Sequence, residues 1–479
     1  MNRKALPFLT ASSAALLLAA CAVGPRAPDA ALPPQASGAF IGSQNASVST
    51  EAARGDWWRL YNDATLDGLI QQALTENNEL EAAAANLRAV RASLSEARAG
   101  RLPSTNANAA FNRSQASTAT VPTAGGAELP EVDTYSVGLD VSYEVDLFGR
   151  VGSTIRAARA DAAAAAEALE VVRITVAAET ARAYADTCSA NAQIAVAQRT
   201  IDLQGRTVDL TQRLLDGGSG NGLDVARARA ALEQTRASLP PLRAQRDGAL
   251  FRLATLTGRT PAEASEAARG CQSPPQLSQP IPVGDGAALL ARRPDVRQAE
   301  ARLAAAAARV NVATASLYPS ISLGGSLGST ALDASDLSDD ANFRFSVGPL
   351  ISWNFPNIAV ARARIKQAGA LTDAALATFD QTVLTALQET ETALSSYANE
   401  LDRRTALRTA RDQAATAARL SRLRFDAGAD SFLTVLDSER TLAGADAALA
   451  ASEAQVTTYQ IALFKALAGG WDQAPNPEA

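Results

Sequence analysis

Few residues of this chain could do covalent chemistry. Histidine is absent from all 479 positions, which removes Ser-His-Asp and Cys-His catalysis and every imidazole-ligated metal site. The run Gly217-Gly218-Ser219-Gly220-Asn221-Gly222 precedes a helical stretch, as a phosphate-binding loop does. No Gly-Lys-Ser/Thr follows it, so it reads as a flexible turn. No catalytic residue, metal site or cofactor is expected. Cys188 and Cys271 permit a disulfide in an oxidising compartment, with two separate buried thiols as the alternative. The net charge is −6 with a pI near 5.1, and no Lys/Arg stripe forms. That argues against a nucleic-acid partner, whose backbone requires concentrated positive charge.

The one cysteine with a clear covalent role stands near the N-terminus. Arg3 and Lys4 precede an apolar run from Ala5 to Leu18, and Leu18-Ala19-Ala20-Cys21 closes it. Small residues before a cysteine resemble a bacterial lipobox. Residues 1–20 then read as a signal peptide, Cys21 as the acylated first residue of the mature chain, and 21–55 as a lipidated linker. An ordinary signal peptide cut near Ala20 is the alternative. Ala22, standing where an aspartate would direct retention, favours the outer membrane by the same resemblance. Acyl chains contribute about 0.8 kcal/mol per buried CH₂, so several hold a protein at a membrane. No other segment reaches about 20 apolar residues, the length of a membrane-spanning helix.

The elements repeat. Asn77–Ser104 aligns without a gap on Arg293–Ser320, an offset of 293 − 77 = 216. Tyr135-Ser-Val-Gly and Ser142-Tyr143 recur as Phe345-Ser-Val-Gly and Ser352-Trp353, an offset of 345 − 135 = 210. Each copy reads helix, strand, loop, strand, very long helix, tight turn, helix, which is a duplicated half-domain. The first copy covers 56–270, with strands near 104–115 and 133–147 and helices near 66–101, 152–215 and 223–257. A Pro-rich connector, 271–284, leads to the second copy at 285–471. Its strands fall near 319–329 and 342–355, its helices near 285–317, 357–425 and 431–468, and a tail follows at 472–479.

The strands alternate. Tyr135, Val137, Leu139, Val141, Tyr143 and Val145 fall on one face, and Ser136, Gly138, Asp140, Ser142, Glu144 and Asp146 on the other. The second copy sets Phe343, Phe345, Val347, Pro349, Ile351, Trp353 and Phe355 against a mainly polar set. Ala107, Ala109 and Phe111, and Ile321, Leu323 and Leu327, repeat the pattern more weakly. Such alternation over about ten residues, with aromatics towards the ends, is what a transmembrane barrel strand requires. A half-buried strand in a soluble sheet is the alternative, but little else in the chain could cover these apolar faces. Open strand edges are not tolerated in lipid, and single-chain barrels use at least about eight strands. Four strands therefore require several chains.

The long helices contain no proline and are interrupted by one glycine each, Gly205 and Gly369, the first of them starting at Gly152. At 1.5 Å per residue they span roughly 95–105 Å. Two moderate helices stacked end to end match one of them in length. Alanine on several faces allows helices to lie side by side in a wall. A filled antiparallel coiled coil is the alternative to a hollow cylinder.

With these features the chain resembles the outer membrane factors, the TolC-like trimeric export ducts, and among them the lipoproteins serving resistance-nodulation-division (RND) pumps. The resemblance rests on Asp56-Trp57-Trp58 through Leu69, Glu144-Val-Asp-Leu-Phe-Gly149, Gly428-Ala-Asp-Ser-Phe-Leu-Thr-Val-Leu-Asp437 and Ala468-Gly-Gly-Trp471. Val151-Gly152-Ser153 departs from it, since many relatives carry more arginine there. The resemblance implies a mainly α fold with a transmembrane β part. As a homotrimer it forms a 12-stranded outer-membrane β-barrel continuous with a long periplasmic α-helical barrel. It further implies a passive channel subunit in a tripartite efflux system for small toxic compounds, working with a periplasmic adaptor protein and an inner-membrane RND-type transporter. By motif position Leu433 and Asp437, four residues apart on one helix face, form the periplasmic aperture. Three Asp437 carboxylates near one axis repel each other and attract cations. Thr434 stands where some relatives add another acid. Gly217, Gly218, Gly428 and Ala429, at the tips, are candidates for adaptor contact; simple turn chemistry accounts for them too. A type I secretion or metal-efflux duct of the same fold, and a coiled-coil lipoprotein without a pore, are the competing readings.

Overall fold

Proline, asparagine and arginine decide where the shorter helices begin and stop. The structure is a computed structural model that describes residues 24–467, except 26, 27, 29, 33, 53, 118–128, 278, 354 and 356. The signal peptide, Cys21, most of the loop between the first two strands, the Ala468–Trp471 motif and the C-terminal tail lie outside the described residues. Ten helices and six strands are described: α1 (Ala64–Glu76), α2 (Asn78–Ala99), α3 (Arg150–Asp216), α4 (Gly222–Arg236), α5 (Leu239–Leu256), the one-turn α6 (Glu266–Arg269), α7 (Gly286–Arg292), α8 (Pro294–Ala315), α9 (Ile358–Asp426) and α10 (Phe432–Ala466), with β1 (Val48–Ser49), β2 (Ser104–Ser114), β3 (Val132–Val145), β4 (Ile281–Pro282), β5 (Ser320–Ala331) and β6 (Phe343–Ser352).

Three stretches expected as single helices are each two. The stretch 66–101 breaks at Asn77, whose Oδ1 accepts from the backbone N–H groups of Glu79 and Leu80 at 3.0 and 3.1 Å and so caps α2. At the same place in the second copy, 216 residues on, the stretch 285–317 breaks at Arg293. Its buried guanidinium donates to Asp295, to Glu389 at 2.8 Å and to the Ala466 carbonyl at 2.9 Å. The stretch 223–257 breaks between Arg236 and Leu239 because Pro240 and Pro241 lack N–H groups and are tolerated only in a first helical turn. Its second-copy counterpart has no such pair, and α10 runs 35 residues unbroken.

The chain divides into two compact units, each drawing on both halves of the sequence. One contains Leu87–Ala165 and Ala299–Phe379 and holds a four-stranded antiparallel sheet in the order β2-β3-β5-β6. Where β3 meets β5, Gly138 faces Gly328. A Cβ on Gly328 would lie 2.4 Å from the Val137 carbonyl oxygen, so only glycine allows that approach. After β3 the chain turns through Gly149 at φ 72°. The Asp146 carboxylate accepts from the N–H groups of Val151 and Gly152 at 2.9 and 2.6 Å, which caps α3. Leu94, Val151 and Ile155 then form a small core.

The other unit contains Ala31–Asn86, Ala166–Gln298 and the chain from Asp380 onward. Its core gathers Trp57, Trp58, Leu66, Ile70, Tyr184, Leu250, Leu253, Ile281 and Phe464. Trp57 stacks on Phe464 at 4.7 Å, and β1 pairs in parallel with β4. Tyr184 donates to Asp63 at 2.8 Å, and burial together with that acceptor pushes its phenol well above the ordinary range. Cys188 and Cys271, 83 residues apart, are bonded and tie α3 to the connector ahead of β4.

Candidate functional site

The hydrogen-bond register brings the alternating residues of all four strands into common rows. Ala107, Leu139, Leu327 and Phe345 stand side by side, as do Ala109, Val137, Ser329 and Phe343. Phe111 faces Tyr135, their rings 4.9 Å apart. The opposite face carries Asn106, Asp140, Ser326 and Ser346 in one row and Ser104, Ser142, Gly324 and Gly348 in the next. Leu350 interrupts that polar face and is itself exposed. A slip of one residue at any strand pair would mix the faces, so this register is the one that keeps the apolar residues on a single side. The apolar face is uncovered: Phe345 and Val347 are each 75% exposed and Ile351 66%. Contiguous exposure on this scale marks a surface made for lipid or protein. Among the described residues, two strand edges, β2 and β6, have no neighbour on their outer side.

The strand ends differ from the expected spans: β2 stops at Ser114, not 115, and β5 runs from Ser320 to Ala331, not 319 to 329. The second strand ends at Val145, not 147, because Asp146 turns to cap α3. The fourth ends at Ser352, not 355. Trp353 nevertheless sits in place, its indole N–H donating to the Leu317 carbonyl at 3.2 Å and its ring against Phe355 at 5.0 Å.

The helix-to-helix turns form the second group. Gly218 and Gly428 hold φ at 75° and 72°, the left-handed conformation that closes a helix C-terminus. Gly217 N–H donates to Arg213, Gly218 to Leu215 and Ser219 to Leu214; Ala427, Gly428 and Ala429 donate to Leu423, Phe425 and Arg424. The offset of 210 relates every member of these two sets. Past the second turn, Phe432, Val435 and Leu436 of α10 are buried, and Phe432 and Leu436 pack on Ala228 and Ala231 of α4. Leu433 and Asp437 occupy the other side of α10 and are both exposed, Leu433 by 51%. Arg440, one turn beyond Asp437, shares that exposure.

Two features here escaped the sequence reading. Carried through the first tip, the offset of 210 makes Leu223 the counterpart of Leu433 and Arg227 that of Asp437. Leu223 is also exposed, so the two repeats present similar leucines and opposite charges. The other is Glu439, buried against the tip helices. Its carboxylate accepts from Thr207 Oγ1 at 3.1 Å and lies 3.5 Å from Arg422 Nη1. Burial raises its pKa, opposed by the Thr207 hydrogen bond and by the charges of Arg422 and Arg206. Charge alone does not distinguish Glu439 from Asp437 in a sequence; only its place on the buried side of α10 does.

No helix among the described residues is long and apolar enough to cross a membrane. A family model described as "Outer membrane efflux protein" matches residues 69–259 and 287–469, one block in each repeat. The chain belongs to the outer membrane efflux protein family. It is 32% identical to the outer membrane protein OprJ of Pseudomonas aeruginosa over 96% of its own length and 95% of that protein's. It is likewise 32% identical to the pyoverdine export outer membrane protein OpmQ of the same organism, over 97% of both chains. Among solved structures, the outer-membrane channel OprN superposes with a TM-score of 0.87 at 35% identity, covering 94% of this chain and 100% of that one. This efflux protein is therefore an outer-membrane channel subunit with the family's fold, mainly α with a transmembrane β part, in which three chains pool their strands into one barrel. Its apolar strand face is the lipid-facing side.

Proposed function

We propose that the trimer is the exit duct of a tripartite pump, fed by a periplasmic adaptor protein and an inner-membrane RND-type transporter, and that it passes small toxic compounds to the exterior. The observation that supports this most strongly is the in-register apolar face on a four-stranded sheet with two free edges, in a chain of the efflux family. Such a sheet encloses a polar, water-filled lumen once its edges are paired. Transport then needs no covalent step from this chain, and the driving energy comes from the transporter. Cys21 carries the lipid that holds the linker at the outer membrane. Leu433 and Asp437 form an apolar and an acidic ring at the periplasmic aperture, and the turns at Gly217, Gly218, Gly428 and Ala429 receive the adaptor. Deleting the gene is expected to sensitise the bacterium to several chemically unrelated compounds. Unchanged sensitivity across a broad panel would contradict the drug-efflux reading.

A further inference from the structure

Where the sheet gives way to the helices, the wall holds a hollow of about 940 Å³, all of whose residues belong to one compact unit. Its strand lining is Ser104, Ser142 and Glu144, every one on the polar face, so the hollow opens on the lumen side. The floor is the side of α3 that carries Val151, Ala158 and Asp161 at helical spacing. α2 packs on α3 through the small core of Leu94, Val151 and Ile155, and α8 is held to it by the ion pair of Arg309 with Asp161. The offset of 216 makes Arg309 the counterpart of Ser93 and Val312 that of Glu96, and all four line the hollow. The two flanking helices thus bring matching positions to it with different chemistry.

The charges in the hollow are unevenly satisfied. Arg150 Nε donates to Glu144 at 2.8 Å, and Arg309 is occupied by Asp161. Glu96 is exposed and has no ion pair or side-chain hydrogen bond among the described residues. Three carboxylates against two guanidiniums leave one negative charge, at Glu96. The fold does not demand this arrangement. In the second copy Val360 and Leu371 stand 210 residues on from Arg150 and Asp161, and both are exposed apolar side chains.

We propose that the hollow is a binding site for organic monocations with an apolar body, a station on the path of transported compounds. The inference rests on the reading of the trimer as an efflux duct and names a substrate class for it. The positive group lies beside Glu96, and the apolar body lies on Val151, Ala158 and Val312. A cavity of this size accepts a small organic molecule, with apolar lining supplying affinity and a few polar groups fixing its orientation. Glu96 and Arg309 are both exposed, so a bound cation keeps contact with lumen water and can leave, as conduction requires. Each trimer carries three such sites, one per chain.

The test is equilibrium dialysis of radiolabelled tetraphenylphosphonium against the mature trimer in lipid nanodiscs, with the uptake of empty nanodiscs subtracted. Saturable binding of one cation per chain is expected. Glu96→Gln keeps the side chain's size and removes its charge, and should weaken binding about tenfold, as the loss of one partly hydrated ion pair does. Ser93→Trp, whose indole fills the hollow from an exposed position, should abolish binding. Glu81→Gln removes another exposed acid of α2 outside the hollow and should bind as the wild type does. Native mass spectrometry showing three chains in each variant separates loss of the site from loss of the fold. Binding that does not saturate, that is unchanged in Glu96→Gln, or that falls equally in Glu81→Gln would overturn the site. Unchanged drug sensitivity after gene deletion would contradict the efflux reading and leave the measured binding standing, so the two fail separately.

Discussion

Glu439 and Asp437 are two residues apart on α10 and have opposite surroundings. Glu439 is buried beside Thr207 and Arg422, and its carboxyl holds a proton to higher pH than it would in the unfolded chain. Stability from this group is therefore complete below the ordinary glutamate value of 4.5 and is lost as pH rises through the raised folded value. Glu439→Gln keeps an acceptor for Thr207 and removes the titration. Its thermal midpoint should change less between about pH 5 and 7 than that of the wild type; an unchanged slope in a melting series would show that Glu439 contributes nothing to it. Asp437 faces outward with no ion pair among the described residues. Asp437→Ala is expected to raise single-channel conductance in a planar bilayer severalfold, and a variant conducting like the wild type would remove Asp437 from the aperture. Leu433 and Asp437 were proposed from a motif, and the 210 offset already present in the sequence would have supplied Leu223 and Arg227 as their counterparts. The Glu439 network was not legible, because it depends on which side of a helix is covered.

At the scale of elements, alternation located the four strands of the sheet and an uninterrupted composition both long helices; the two-residue strands β1 and β4 were missed, and local chemistry shifted the ends of the rest. Asn77 reads as an ordinary helical residue until its side chain caps the next helix, whereas at the matching place the break comes from Pro294, which opens α8 and keeps Arg293 extended. Pro240-Pro241 was the visible signal for the break before α5, but the alanine- and arginine-rich sequence on both sides masks it. The end of β6 was not legible, since the apolar alternation continues through Trp353 and Phe355 while the strand stops at Ser352. The turns can be tested through their glycines. Gly428, at φ 72°, should lose about 1–2 kcal/mol on substitution by alanine, which pays the left-handed penalty. Gly444, exposed in the interior of α10 with open space where a Cβ would stand, should gain about 1 kcal/mol from the same change. Thermal unfolding reads both, and equal shifts would show that backbone conformation at the turn is not what selects Gly428.

At the scale of the molecule, one chain is an incomplete object. Its helical core is well made, with Leu250, Leu253, Phe464 and Leu467 essentially inaccessible. Its sheet ends in two unpaired edges below a row of exposed Phe, Val, Ile and Trp. In lipid each unpaired backbone group costs several kcal/mol, so the edges must be removed by closure, and closure requires other copies. An enclosed lumen follows from that requirement. Native mass spectrometry of the purified mature protein released from detergent tests it most directly. The account predicts an assembly of three chains that needs detergent to stay in solution. A single chain that remains soluble without detergent once the lipid anchor is removed would contradict it.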